Sequence, residues 1–312
     1  MRHGEDNQRV HVIVLNYNGA PLTVDCVCSL LKSDYPSLRI TMVDNHSSDD
    51  SVEVLRTAFT DPRVELIVTE RTLGYAGGNN CGIRKALEEQ AQYILLINSD
   101  ALVLPHSIPV LCSIMEDRPH IGICTGRCYR SLTKQEDWVC AYERFPSPAR
   151  VALSRLLSVT GMDVVLGREN VQRAMMGLYY SHGRSTEVAW ANGALLFVRR
   201  EAIEAVGLLD EGFFLTYEDT DWCRRMRHRG WGVYYCHAAE YVHLMSQSRR
   251  RQNWKISRHI ERQSASRFLR KYDRKTSVLL YQIADFLVLR PLETLRHMLQ
   301  ALRPGQDRLT ER

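Results

Sequence analysis

The sequence predicts an α/β protein built on a single, mostly parallel twisted sheet flanked by helices, with a helical C-terminal tail. Three observations carry that expectation. Four short apolar runs rich in β-branched residues recur within residues 10–97, a helix-like segment separates most of them, and a polar cluster follows each one. Strands alternating with single helices imply right-handed βαβ crossovers and a parallel sheet. Such sheets receive ligands beyond the carboxyl ends of their strands.

In order, Val10 to Leu15, Ile40 to Val43, Val64 to Val68 and Tyr93 to Ile97 are the expected strands. Pro21 to Leu31, Ser51 to Phe59 and Cys81 to Gln90 are the expected helices. From about Arg127 to Glu187 the periodicity degrades through "FPSP" and an apolar, Met-rich portion, so this stretch reads as an insertion or lid with no assigned structure. "VAWANGALLFVRREAIEAVG" restores order as strand, turn, strand and helix, and "WGVYYCHAA" reads as a further strand. Beyond Gln247 come two helices, the first basic and the second apolar from Val278 to Leu289.

Composition narrows the class. With 312 residues, 45% hydrophobic and 25% charged, the chain can bury a large core without staples. Its nine cysteines form no CxxC pair and no zinc-finger spacing, and several sit in apolar stretches, which suits reduced thiols in a cytoplasmic protein. "MRHGEDNQRV" has no apolar core of a secretory signal, and no run reaches membrane-spanning length. Arg249 to Lys275 holds eleven Lys/Arg against two acids, so one segment supplies more than the whole net charge of +5 and the remainder is acidic. Basicity confined to one stretch without a recognised binding module argues against nucleic acid and suits a solvated helix face or an anionic lipid surface.

Five clusters can carry chemistry. "LNYNG" presents the Asn16 and Asn18 amides, though Asn and Gly also simply make turns. In "VDNHSSDDS", Ser47, Ser48 or Asp49 serves as a helix cap, which leaves Asp44 and Asn45 for an imide N–H and a ribose. "TLGYAGGNNCGIRKAL" places Gly74, Gly77, Gly78 and Gly82 where backbone can approach a ligand, before a helix N-terminus suited to an anion. Neither GxGxxG nor GxxxxGK[ST] is present. "INSDALVLP" offers Asp100 to a hard cation and a diphosphate, or a plain loop acid. In "FFLTYEDTDWCRRMRHRG", Glu218, Asp219 and Asp221 open a helix; Thr216 and Asp219 match a capping box, yet neighbouring acids also raise one another's pKa, as a general base requires. Downstream, "HLMSQS" offers His243 as a metal ligand, with Ser246 and Ser248 as phosphate partners, or as a plain structural histidine.

Taken together, "VIVLNYNG", "VDNHSSDDS", "LGYAGGNNCGI", "LLINSDALV", "NGALLFVRREAIEAVGLLDEGFFLTYEDTDWCRRMRHRGW" and "HLMSQS" resemble the inverting GT-A glycosyltransferases of family 2, especially their rhamnosyltransferase-like branch. The likeness runs from Val10 to Lys271 and is poorest between Arg127 and Glu187. It implies a GT-A domain over 8–248, with a nucleotide-sugar-binding, Rossmann-like half (1–125), a variable insertion or lid (126–187) and an acceptor half (188–248), followed by a basic and amphipathic tail (249–312). It implies a nucleotide-diphosphate-sugar donor, dTDP-L-rhamnose before UDP- or dTDP-hexose, and a glycan or lipid-linked acceptor in cell-surface polysaccharide synthesis. By position, Asn16, Asn18, Asp44, Asn45, Gly74, Asn79 and Asn80 would line the nucleotide pocket. Ser99 and Asp100 would meet the diphosphate. "NSD" replaces the first acid of the DxD-like motif with Asn98, leaving Asp100 and His243 for Mg²⁺ or Mn²⁺. The ED motif makes Asp219 the base, with Glu218 and Asp221 orienting it or the acceptor; Asn192, Gly193 and Trp222 would border the acceptor.

Two rival functions share these motifs: a nucleotide-sugar-binding protein without catalysis, and a nicotinamide-dependent oxidoreductase, which the missing GxGxxG disfavours. The tail, too short to span a bilayer, is expected either in the cytoplasmic membrane interface near a lipid-linked acceptor, or packed on the domain or in a homodimer.

Overall fold

In the computed structural model, which describes residues 10–134, 137–179, 183–244 and 254–301, the first strand fixes the plan of the sheet. β1 (Val10–Asn16) is buried on both faces and pairs in parallel with β2 (Leu38–Asp44) on one side and β4 (Tyr93–Asn98) on the other; β3 (Val64–Val68) extends it beyond β2. Helices α1 (Ala20–Leu31), α2 (Ser51–Ala58) and α3 (Gly74–Glu88) make the crossovers. After β5 (Ala101–Val103) and α4 (Ser107–Asp117), β6 (Ile121–Tyr129), β7 (Thr186–Val188), β8 (Leu195–Arg199) and β9 (Gly232–His243) complete a ten-stranded sheet in the order β7-β9-β6-β8-β4-β1-β2-β3; β5 pairs with β9 and Asp137–Trp138 with β6. β8 runs antiparallel between β4 and β6, so the sheet is mixed on that side. A second short pairing, Ala141–Tyr142 with Trp190–Ala191, lies apart from it, with the Tyr142 and Trp190 rings stacked at 4.0 Å.

Three local expectations give way to tertiary contacts. α3 begins at Gly74, seven residues before the expected start, so the glycine-rich run is helix. A Cβ on Gly78 would lie 2.4 Å from Leu15 Cδ1, and one on Gly82 2.6 Å from Ile13 Cγ2. These glycines therefore bring α3 against β1 and do not open the backbone to a ligand. Ser47 does not cap α2: its hydroxyl donates to Asp44 at 2.7 Å, and the nearby Asp49 carboxylate takes Ser51 N–H at 3.1 Å. The capping box at Thr216 and Asp219 does not form, because the helix starts from Tyr217, and Thr216 Oγ1 is buried without a partner among the described residues.

The chain divides into two units. One comprises Met1–Phe145 and Tyr179–Ala265 and contains the large sheet; the other comprises Pro146–Leu178 and Ser266–Arg312. In the second unit, part of the stretch left unassigned from sequence is helical (Pro148–Thr160, Met162–Val165, Arg168–Met176). The helix Lys275–Ala284 in the same unit continues through a π turn, Asp285–Leu289, into Arg290–Ala301. No helix among the described residues is long and apolar enough to cross a membrane.

Candidate active site

Parallel pairing brings Asn16, Asp44 and Asn98 to one edge of the sheet, at the ends of β1, β2 and β4. Antiparallel β8 starts at the same edge, with Ala194 O accepting Asn98 N–H at 3.1 Å. Every cluster expected at strand ends therefore opens on this edge, but the side chains there do different work.

At β1 and β2 the polar groups are bound to one another. Asp44 is fully buried: Oδ2 accepts the Asn16 amide at 2.7 Å and the Ser47 hydroxyl at 2.7 Å, and Oδ1 accepts Ser47 N–H at 2.9 Å. Asn16 Oδ1 takes the Thr23 hydroxyl at 2.7 Å. Asn18, in the left-handed region, donates its N–H to Ser47 and accepts Ser48 N–H at 2.8 Å. Asn45 accepts Leu73 N–H and donates to Gly74 O, fixing the entry to α3. Asn80 holds Leu209 from both sides and Glu211 through its amide, at 2.9 to 3.1 Å. Gly74 lies under Phe214, whose carbonyl oxygen would be 2.3 Å from a Cβ. Asn79 alone keeps an unused group, a buried Oδ1 with no partner among the described residues.

At β4 the geometry is more open to a ligand. β9 carries a register shift between Cys236 and Glu240, after which its last residues pair with β5 and His243 lies opposite Ala101. A bulge beside a site re-aims the residues that follow it. Here it sets His243 Nε2 3.0 Å from Asp100 Oδ1 and 3.3 Å from Asn98 Nδ2, while Leu244 N–H donates to Asp100 O at 2.9 Å. His243 Nδ1 is buried and has no partner among the described residues. The carboxylate and imidazole fit a divalent ion: their 3.0 Å separation is close to the roughly 3 Å edge between adjacent ligands of an octahedral ion with bonds of about 2.1 Å. No group of three or more His, Cys, Asp or Glu side chains capable of holding a metal occurs among the described residues, so these two would need a ligand's phosphates to complete the shell. Ser99 is half-buried beside them, and Ser246 and Ser248 lie outside the described residues.

The third part is α6 (the helix Glu218–His228, with Arg200–Val206 before it as α5), entered through two consecutive left-handed residues, Thr216 (φ 66°) and Tyr217 (φ 69°). Non-glycine residues in that region cost about 1–3 kcal/mol each and persist where the surroundings over-determine them. The turn buries the adjacent acids Glu218 and Asp219. Asp219 Oδ2 accepts Gly193 N–H at 2.8 Å; Oδ1 accepts Thr220 N–H at 2.6 Å and its hydroxyl at 3.1 Å. Burial raises the Asp219 carboxyl above its ordinary pKa, and these donors pull it part of the way back. Glu218 has less help: Oε2 is buried without a partner among the described residues, and burial, then the Asp219 charge, holds its carboxyl well above the usual range against one backbone hydrogen bond. Asp221, one turn on and fully buried, binds Arg225 at 2.7 Å, and Arg225 reaches Val206 O and Leu208 O after α5. Asp221 thus holds a helix end. Trp222 is also fully buried, its indole N–H on Gly207 O at 2.8 Å, so it is a core residue and does not border an acceptor.

Tyr75 is the residue that sequence reasoning missed. Its hydroxyl donates to Gly193 O at 2.6 Å, so Gly193 is held by the phenol at its carbonyl and by Asp219 at its N–H. Burial, then the charges of Glu218, Asp219 and Asp100, push that phenol well above its ordinary pKa. Asn192 accepts Ala194 N–H at 2.9 Å and keeps the Gly193 turn closed. The only hint of Tyr75 was its place inside "LGYAGG".

Residues 7–266 match the family described as "Glycosyltransferase like family 2". The N-acetylglucosaminyl-diphospho-decaprenol L-rhamnosyltransferase of Mycobacterium tuberculosis (strain H37Rv) is 26% identical over 249 residues, 76% of each chain. The low-salt glycan biosynthesis hexosyltransferase Agl10 of Haloferax volcanii is 25% identical over 203 residues, 65% of this chain and 57% of its own length. Among solved structures, the mannosyltransferase PcManGT from Pyrobaculum calidifontis, in complex with GDP-Man and Mn²⁺, superposes with a TM-score of 0.56 at 18% identity, over 96% of this chain and 76% of that one. That likeness identifies the GT-A fold.

Proposed function

Because the chain belongs to the glycosyltransferase-like family 2, we propose that it moves a sugar from a nucleotide-diphosphate donor to a hydroxyl of a glycan or lipid-linked acceptor, in polysaccharide or glycan synthesis. The observation that carries this reading is the hydrogen-bonded link between the two acidic groups: Asp219 holds Gly193 N–H, the carbonyl of the next residue, Ala194, takes Asn98 N–H, and the Asn98 amide lies 3.3 Å from the His243 imidazole that meets Asp100. Base and leaving-group sites must lie on opposite sides of one small space for a direct displacement.

Asp219 is the base. Its two oxygens are held by Gly193 and Thr220, which fixes the carboxylate in one orientation while a lone pair remains to take a hydroxyl proton. The neighbouring Glu218, whose carboxyl burial pushes well above the usual range, can donate to the acceptor in its protonated form and then adds no second charge. The freed oxygen attacks the anomeric carbon opposite the diphosphate, so one displacement inverts that centre. Asp100 and His243 would hold Mg²⁺ or Mn²⁺ together with the donor phosphates, and the cation would supply Lewis-acid stabilisation of the departing charge. Asp44 reads the pyrimidine through the lone pair left on Oδ1, which takes Ser47 N–H while Oδ2 takes the Asn16 amide and the Ser47 hydroxyl.

The rhamnosyltransferase relative favours L-rhamnose as the sugar, with dTDP the carrier expected from the sequence, and the hexosyltransferase relative keeps a hexose on UDP or dTDP as the alternative. All nine cysteines are free, which accords with a cytoplasmic setting. The test is a panel of nucleotide sugars scored for binding and donor hydrolysis with Mg²⁺, Mn²⁺ or chelator. Metal-dependent binding of one nucleotide sugar with turnover is expected; binding without turnover of any donor across acceptor extracts would remove the catalytic reading.

A further inference from the structure

The second unit reverses the polarity expected of a water-exposed helical assembly. Along the run from Lys275 to Ala301, the inward-facing side chains include Tyr281, Asp285 and Glu293, all buried. They meet Arg155 of the helix Pro148–Thr160, which binds Asp285, reaches Tyr281 Oη at 3.3 Å and lies 3.4 Å from Glu293; Arg290 adds a bond to Asp285 at 2.8 Å. Outward, Leu279, Leu280, Ile283, Phe286, Leu287 and Leu295 are 47–68% exposed. The spacing 279, 280, 283, 286, 287 is that of one helix face. A helix on a soluble domain buries such a stripe. Here the ion pairs share the inside with Val278, Tyr281 and Leu289 while the longer apolar stripe faces out, and exposed patches of this kind mark a docking surface.

The charges beside the stripe identify what docks. Arg267, Arg270, Lys271, Arg274 and Lys275 are all exposed and lead directly into it, with Asp273 the one acid among residues 267–275. A second copy packing this face on itself would bring two such cationic runs into one interface without counter-charge. An apolar stripe next to a basic cluster is the pair of signals that holds a helix in an anionic bilayer interface, and no described helix can cross the bilayer instead. We propose that this face lies at the headgroup–acyl boundary of an anionic phospholipid membrane, as a monotopic contact. The contact stands independently of the glycosyl-transfer reading.

Co-sedimentation of the full chain tests it, with vesicles of phosphatidylcholine alone and of phosphatidylcholine mixed with phosphatidylglycerol. Binding to the mixed vesicles is expected, at least about tenfold weaker on the neutral ones, because each nearby cation strengthens attachment to an anionic surface. Leu280→Glu with Leu287→Glu lowers binding by at least about tenfold, and the melting curve stays unchanged because both side chains are already exposed. Leu279→Asn with Ile283→Asn serves as a second pair if the first fails to fold. Failure to bind mixed vesicles, equal binding by the apolar variants, or a concentration-dependent dimer that the same variants dissolve in the absence of vesicle binding would each overturn the membrane contact. Equal binding to neutral vesicles would overturn the choice of anionic lipid.

Discussion

Replacing Asp219 by asparagine separates positioning from proton transfer, and the structure allows both consequences to be worked out. Each Asp219 oxygen faces an N–H, Gly193 on one side and Thr220 on the other. An amide has one carbonyl oxygen, so Asp219→Asn sets an NH₂ against one of these donors. Leaving a buried donor unmatched costs about 1–3 kcal/mol, and loss of the buried charge, which raises the Asp219 carboxyl, offsets part of it. A chain of this size is expected to lose a few degrees of Tm, at about 2–4 °C per kcal/mol. Chemistry suffers more: removing a general base lowers turnover by about 10²- to 10⁴-fold, or roughly 3–5 kcal/mol of barrier at about 1.4 kcal/mol per decade. The assay pairs calorimetric donor binding with single-turnover transfer to acceptor. Near-normal donor affinity with transfer reduced by two decades or more is expected. Transfer within a few-fold of wild type in a folded variant would refute Asp219 as base.

Four further outcomes follow from the same geometry. Glu218→Gln should raise Tm, by an amount absent near pH 4 that grows with pH: a carboxyl whose pKa is raised on folding contributes most below its unfolded value and loses that contribution as pH climbs through the folded one; a constant Tm difference across pH would contradict this. Asp100→Asn and His243→Ala should each weaken Mn²⁺-dependent donor binding by at least about tenfold, as loss of one ligand of a metal site does, with little change in binding measured in chelator. Arg225→Met leaves the fully buried Asp221 carboxylate without its guanidinium partner and should cost about 3–5 kcal/mol in denaturant unfolding; a loss under about 1 kcal/mol would mark the pair as an ordinary surface contact. Gly82→Ala places a methyl 2.6 Å from Cγ2 and 2.9 Å from Cγ1 of the fully buried, β-branched Ile13 and should cost about 1–3 kcal/mol by overpacking, detectable as a lower Tm with unchanged donor specificity.

The strands were legible because each is a short β-branched run bounded by turn residues, and β1, β2, β3 and β4 fall where those runs predicted. What composition hides is packing. Glycine opposes helix formation by propensity, yet Gly78 and Gly82 sit within α3 because a bare Cα lets the helix approach Leu15 and Ile13 of β1. The acids of "YEDTDW" read alike in sequence, but helical spacing gives each a different surrounding: Asp219 faces Gly193, Asp221 faces Arg225, and Trp222 goes to the core. Asp100 was readable as a strand-end acid. That His243 would stand beside it depended on a register shift in β9, which no local pattern announces. Tyr75 escaped notice because its role lies in a contact with Gly193, 118 positions away.

The contact between Asp100 and His243 spans 143 positions, and that separation orders events in time. β1 to β4 and their crossovers make mostly local pairings, which close early because short loops cost little entropy to form. The imidazole arrives last, on a strand threaded beside β6 and turned back along β5. A chain emerging from the ribosome therefore completes the edge formed by Asn16, Asp44 and Asn98 long before it can bring Asp100 and His243 together. The Asp100–His243 pair waits for the final strand of the sheet.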